Sequence, residues 1–153
     1  MTNRSLITRA VVASLLSAIA GLATAGDTQN LTVSATVQQQ CKFFGLGQTA
    51  AFGNIDPSGT SDVTANATVK YKCTNGTTPG SLAPTSGGLS RTMSDGGSNT
   101  LAYTLSLASL SAGSGFGSGQ EKSIAVTATI TPAQFQNAVA ATYQEVVELT
   151  ITP

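Results

Sequence analysis

Three long stretches of this chain alternate apolar and polar residues with a period of two. Val63, Ala65, Ala67, Val69, Tyr71 and Cys73 alternate with Thr64, Asn66, Thr68, Lys70 and Lys72. Leu101, Tyr103, Leu105 and Leu107 alternate with Ala102, Thr104 and Ser106, and Ile124, Val126, Ala128 and Ile130 with Ala125, Thr127 and Thr129. Successive side chains of a strand point to opposite faces, so each stretch reads as a strand with one buried face. A fourth strand is expected near the C-terminus, from Tyr143 through Val147, Leu149 and Ile151, with Glu148, Thr150 and Thr152 outward. Turn formers separate the runs: Asp56-Pro57-Ser58-Gly59, Asn75-Gly76, Ser86-Gly87-Gly88 and Asp95-Gly96-Gly97. Gly113 to Gly119 reads as a flexible loop, and only Pro132 to Thr142 has room for a helical turn. The fold class is therefore all-β, an antiparallel sandwich. Aromatic residues are 5% of the chain and Trp is absent, so the core is thin and built from Val, Ile, Leu and Ala.

One more alternating segment lies ahead of these. Leu31, Val33, Ala35 and Val37 are interleaved with Thr32, Ser34 and Thr36. An apolar strand near a free N-terminus has two fates. It is buried in its own domain as a first strand, or it is lent to a neighbouring molecule.

The residues before it read as a secretion signal. Arg4 and Arg9 form a positive start, Ala10 to Leu22 is an apolar run, and Ala23-Thr24-Ala25 has the form of a cleavage site. The run is shorter than the roughly 20 apolar residues of a membrane-spanning helix. Residues 1–25 are expected to be removed, with the mature chain starting at Gly26. Seven basic and seven acidic residues then become five and seven, a net charge of −2. That is no footprint for nucleic acid, which calls for a basic face.

Cys41 and Cys73 are the two cysteines. In an oxidising compartment such a pair reads as a disulfide. A metal site is disfavoured, because the spacing fits no CxxC pattern and the chain has no His. The missing His also removes the commonest general base, and no nucleophile elbow or phosphate loop is present, so the chain reads as no enzyme, without cofactor or small-molecule substrate. Glu145 and Glu148 are three apart on an expected strand, face opposite sides and read as solvated charges. Phe43, Phe44, Phe116 and Phe135 are the loose aromatics that a sugar-binding surface would use.

The order of these features resembles a known family. An alternating N-terminal strand is followed by Cys41 four residues after Val37, then by Phe52-Gly53. A strand ends in Val69-Lys70-Tyr71-Lys72-Cys73-Thr74-Asn75-Gly76. Arg91-Thr92-Met93 precedes a Gly-rich turn and Leu101-Ala102-Tyr103-Thr104-Leu105, and the chain closes with Tyr143-Gln144-Glu145-Val146-Val147 and Leu149-Thr150-Ile151. This is similar to the spore coat protein U family, the pilins of archaic chaperone–usher pili. The resemblance runs from about Asn30 to Ile151.

The resemblance implies an incomplete immunoglobulin-like β-sandwich that lacks its final strand. Residues 26–38 would be a donor-strand extension and residues 39–153 the pilin domain. Leu31, Val33, Ala35 and Val37 would be the donor residues. Val147, Leu149 and Ile151 would line one wall of the acceptor groove, and Cys41–Cys73 would tie the first two strands of the body. The implied partners are neighbouring pilin subunits, a periplasmic chaperone and an outer-membrane usher, with export to the periplasm and then to a surface pilus used in adhesion and biofilm formation. The alternative is a self-complemented secreted sandwich that binds a carbohydrate or a surface protein.

Overall fold

A computed structural model describes residues 26–153. The expected signal segment lies outside the described residues. Contacts divide the chain into two units, Met1–Ala35 and Thr36–Pro153. In the first, the described residues form neither helix nor strand. The second is all-β and immunoglobulin-like.

Seven strands and one helical turn make up the second unit: β1 (Cys41–Phe43), β2 (Val63–Cys73), β3 (Ser81–Pro84), β4 (Ser90–Ser94), β5 (Thr100–Leu107), β6 (Lys122–Ile130), α1 (Pro132–Phe135) and β7 (Leu149–Thr152). They form a five-stranded sheet in the order β1-β2-β6-β5-β4 and a two-stranded sheet, β3-β7. All the pairings are antiparallel. The longest ladder joins β2 to β6, from Val63 opposite Ile130 to Tyr71 opposite Lys122.

The alternation of the sequence appears as burial. Ala65 and Tyr71 on β2, Leu101, Tyr103 and Leu105 on β5, and Ile124, Val126, Ala128 and Ile130 on β6 are buried. Their hydroxyl-bearing neighbours face out. The core has two parts. Tyr71, Cys73 and Ile124 pack against Leu82, with Leu149 and Ile151 alongside, so there the two sheets face each other. Around Met93, Tyr103, Val126 and Ile130 the cover is irregular chain: Ala50, Phe52, Ile55, Tyr143 and Val147, together with buried Phe135 of α1. The Phe52 ring meets Tyr103 edge-on at 6.3 Å between centroids, a favourable aromatic geometry.

Several readings of the sequence change. Phe135 is buried in the core and is not a loose surface aromatic. Lys72 does not face solvent as the alternation placed it. It is 8% exposed, bonded to Glu121 at 3.0 Å, and its ammonium lies 4.2 Å from the centre of the Phe44 ring. Gly113 to Gly119 is tied down rather than free: Gly113 exchanges backbone hydrogen bonds with Gly76 and Thr77, Gly115 donates to the Cys73 carbonyl, and Lys72 donates to the Gly117 carbonyl at 2.8 Å. The C-terminal strand is shorter than its pattern. Before Leu149, the stretch from Tyr143 is fixed by one bridge, Ser94 with Gln144, and by the Thr85 N–H donating to the Glu148 carbonyl.

Candidate functional site

The two-stranded sheet leaves β7 at an edge. The carbonyls of Glu148 and Thr152 accept from Thr85 and Gly80, so those residues turn their backbone groups toward β3. Backbone direction alternates along a strand. The N–H and C=O groups of Val147, Leu149 and Ile151 therefore point the other way, toward a side where no described strand pairs with them. Opposite lies the chain that follows β1. The Phe44 N–H still donates to Lys70, but no backbone bond to a strand is made by residues 45–52 among the described residues.

Between these two edges runs an apolar groove of about 540 Å³. Val69 and Ala67 of β2, Val126 and Ala128 of β6 and Leu105 of β5 form its floor. Phe43, Phe44, Leu46 and Phe52 stand on one side, Val147 and Leu149 on the other. A further cavity of about 850 Å³ continues past Met93 and Glu145, between residues 49–57 and 138–145. The result is a long trough with an unpaired strand edge beside it. Ile151 lies beyond this lining, packed beside Tyr71, Leu82 and Ile124.

Polar groups sit at two places along the trough. Arg91 of β4 pairs with Glu145, and both side chains are largely covered, so Glu145 is not the solvated charge its position suggested. That bond holds the Arg91 guanidinium proton more firmly than usual, raising its pKa. Burial, with Glu145 nearby, pushes the Tyr103 hydroxyl up to about 12. At the other end, Phe44 lines the groove and also covers the Lys72 ammonium. Glu145 and Glu148 do not converge, since Glu148 is exposed and Glu145 faces Arg91. Among the described residues, no group of three or more His, Cys, Asp or Glu could hold a metal.

Cys41 and Cys73 are bonded and directly opposite in the β1–β2 register. Ahead of them, Leu31, Val33 and Val37 are 86%, 83% and 81% exposed, and Ala35 is exposed as well. A model of the spore coat protein U domain matches residues 27–150. The chain belongs to the spore coat protein U family. Neither curated proteins nor solved structures gave a match. Spore coat protein U domains are structural domains of pilin type rather than enzymes, and they are associated with exported surface structures. No helix among the described residues is long and apolar enough to cross a membrane.

Of the acceptor residues suggested by the sequence, Val147 and Leu149 line this trough and Ile151 does not; Phe43 and Phe44, read as loose aromatics, line it together with Leu46 and Phe52. Phe43, Phe44, Leu46 and Phe52 alternate with nothing, because glycines at 45 and 47 interrupt any period. Their signal was compositional: large apolar side chains set among glycines, just after a cysteine.

Proposed function

We propose that this chain is a structural pilin subunit that polymerises by donor-strand exchange. Leu31, Val33, Ala35 and Val37 of one subunit enter the groove of the next, beside Val147 and Leu149. The observation that carries this reading is a complementarity within one chain. Four alternating apolar residues stand exposed, and an apolar trough lies beside an unpaired strand edge. Strand addition satisfies both, giving the edge its hydrogen bonds and the trough its side chains.

The energetics favour exchange. Burying Leu or Val contributes about 1.5–3 kcal/mol each, and Ala less. Ladder hydrogen bonds add about 1 kcal/mol net apiece. An open edge beside exposed apolar surface invites aggregation, which is the reason for a periplasmic chaperone to hold the subunit until an outer-membrane usher passes it on. The contact is head-to-tail and does not close on itself, so it yields a filament. Such filaments would serve surface adhesion and biofilm formation.

Val33→Asp tests the reading. A carboxylate cannot enter an apolar pocket unpaired without a cost of several kcal/mol. The variant should fold with its chaperone, form the Cys41–Cys73 bond, and fail to donate. It should still accept, so adding it to wild-type subunits should shorten fibres in proportion to its fraction. Normal fibres from Val33→Asp, seen by electron microscopy, would overturn the donor assignment. A lowered melting temperature of the isolated variant would instead support the self-complemented sandwich.

A further inference from the structure

We propose that Thr74 is the positioning residue that sets how rigidly one subunit of the fibre follows the next. The proposal rests on the assembly described above, with residues 31–37 as the donor strand.

Thr74 follows Cys73 at the end of β2. Its backbone N–H donates to the Gln40 carbonyl at 2.9 Å. Its hydroxyl accepts the Gln40 N–H at 3.0 Å and donates to the Gln38 carbonyl at 3.1 Å. One threonine thus holds three backbone groups of the tripeptide Gln38-Gln39-Gln40. The next residue, Cys41, is bonded to Cys73. From Gln38 onward the chain is fixed to the body.

Val37, the last apolar donor residue, immediately precedes Gln38. A donor strand seated through Val37 therefore leaves no free residue between two bodies. Without the hydroxyl, Gln38 and Gln39 would be a joint of up to about 7 Å, and a short polar segment without a partner behaves as a flexible link. Three glutamines have no turn chemistry of their own to set a direction. The hydroxyl supplies it, and its β-branched side chain has few rotamers to lose.

Two substitutions separate the hydroxyl from the shape. Thr74→Val keeps the branch and the backbone bond but loses the hydroxyl, and Thr74→Ser keeps the hydroxyl. Thr74→Val should form the disulfide, melt close to wild type and polymerise in normal yield. The persistence length of its fibres in electron micrographs should fall by a factor of about two or more. Thr74→Ser should restore it. Thr74→Val fibres as stiff as wild type, or Thr74→Ser fibres as flexible as those of Thr74→Val, would overturn the proposal. Failure of the assembly itself looks different: fibres would then be insensitive to Val33→Asp. Nuclear relaxation of the Gln38 to Gln40 amides in the purified subunit reads the clamp without fibres. Mobility should rise in Thr74→Val alone, and unchanged mobility there would also overturn the proposal.

Discussion

Arg91 and Glu145, 54 residues apart, form an ion pair that fixes an unladdered stretch of chain to the groove. The Arg91 Nε donates to Glu145 Oε1 at 3.0 Å, a terminal guanidinium nitrogen donates to the same oxygen, and Nη1 donates to the Ser86 carbonyl at 2.6 Å. The other carboxylate oxygen is buried without a hydrogen-bond partner. Arg91→Met leaves that carboxylate alone in a covered site and should cost about 2–4 kcal/mol in chemical unfolding. Arg91→Met with Glu145→Leu should recover much of the loss, because no charge is then stranded. A double variant as unstable as the sum of the singles would show that the two residues are not coupled.

Gly113 should not tolerate a side chain. A methyl there would overlap the Cys73 carbonyl oxygen and lie 2.6 Å from the Cys73 Cβ. Cys73 sits in the β2 ladder and is disulfide-bonded, so it has little room to give way. Gly113→Ala should destabilise the domain by about 1–3 kcal/mol. Gly117→Ala, whose added carbon would meet only Gln120 at 3.6 Å, should be close to neutral. Equal melting temperatures for the two variants would contradict the packing described.

The disulfide spans 32 residues. Chain-entropy arguments give such a bridge roughly 3–4 kcal/mol. Replacing Cys41 and Cys73 together with Ser should therefore remove a large share of the stability of a thin core. Intact mass with and without reductant checks the bond, and the unfolding midpoint of the double variant checks its weight.

Acid should loosen the Lys72 cluster. The hydrogen bond from Lys72 holds the Glu121 carboxyl below its ordinary value of 4.5. A group whose pKa is lowered on folding gives its full stabilisation above the unfolded value and loses it as pH falls through the folded one. Melting temperature should therefore drop below about pH 4.5, and Glu121→Gln should flatten that part of the profile. An identical acid slope in Glu121→Gln would assign the effect to other carboxylates.

The exported protein should begin at Gly26. N-terminal sequencing decides this: a start at Gly21 would point to cleavage after Ala18-Ile19-Ala20, and retained Met1 would remove the argument for export.

Legibility of this fold follows the length and regularity of each strand. β2, β5 and β6 each carry four or more apolar positions in period two, and their buried faces agree with that pattern. β3 spans only Ser81-Leu82-Ala83-Pro84, with one buried residue, and takes its partner from the far end of the chain. Nothing local announces such a strand. β4 is not legible as a strand: Arg91-Thr92-Met93 enters only through the resemblance, and the five residues of β4 bury only Met93. Lys72 defeated the alternation because its partners, Phe44 and Glu121, come from distant chain. Val147 and Leu149, which continue a period, do line the trough. Phe44 reads as a loose aromatic and Phe52 only as part of the resemblance, because tertiary contact alone makes them a wall.

The place where Cys41 meets Cys73 also decides how such a fibre carries load. Tension along the filament would arrive through Gln38-Gln39-Gln40 at β1, a strand of three residues that would peel readily by itself. The covalent bridge passes the force on to the end of β2, the strand with the longest ladder in the molecule. In a fibre of the proposed kind, the pull received by the weak strand would thus be shared with the eleven residues of β2 and their partners on β6.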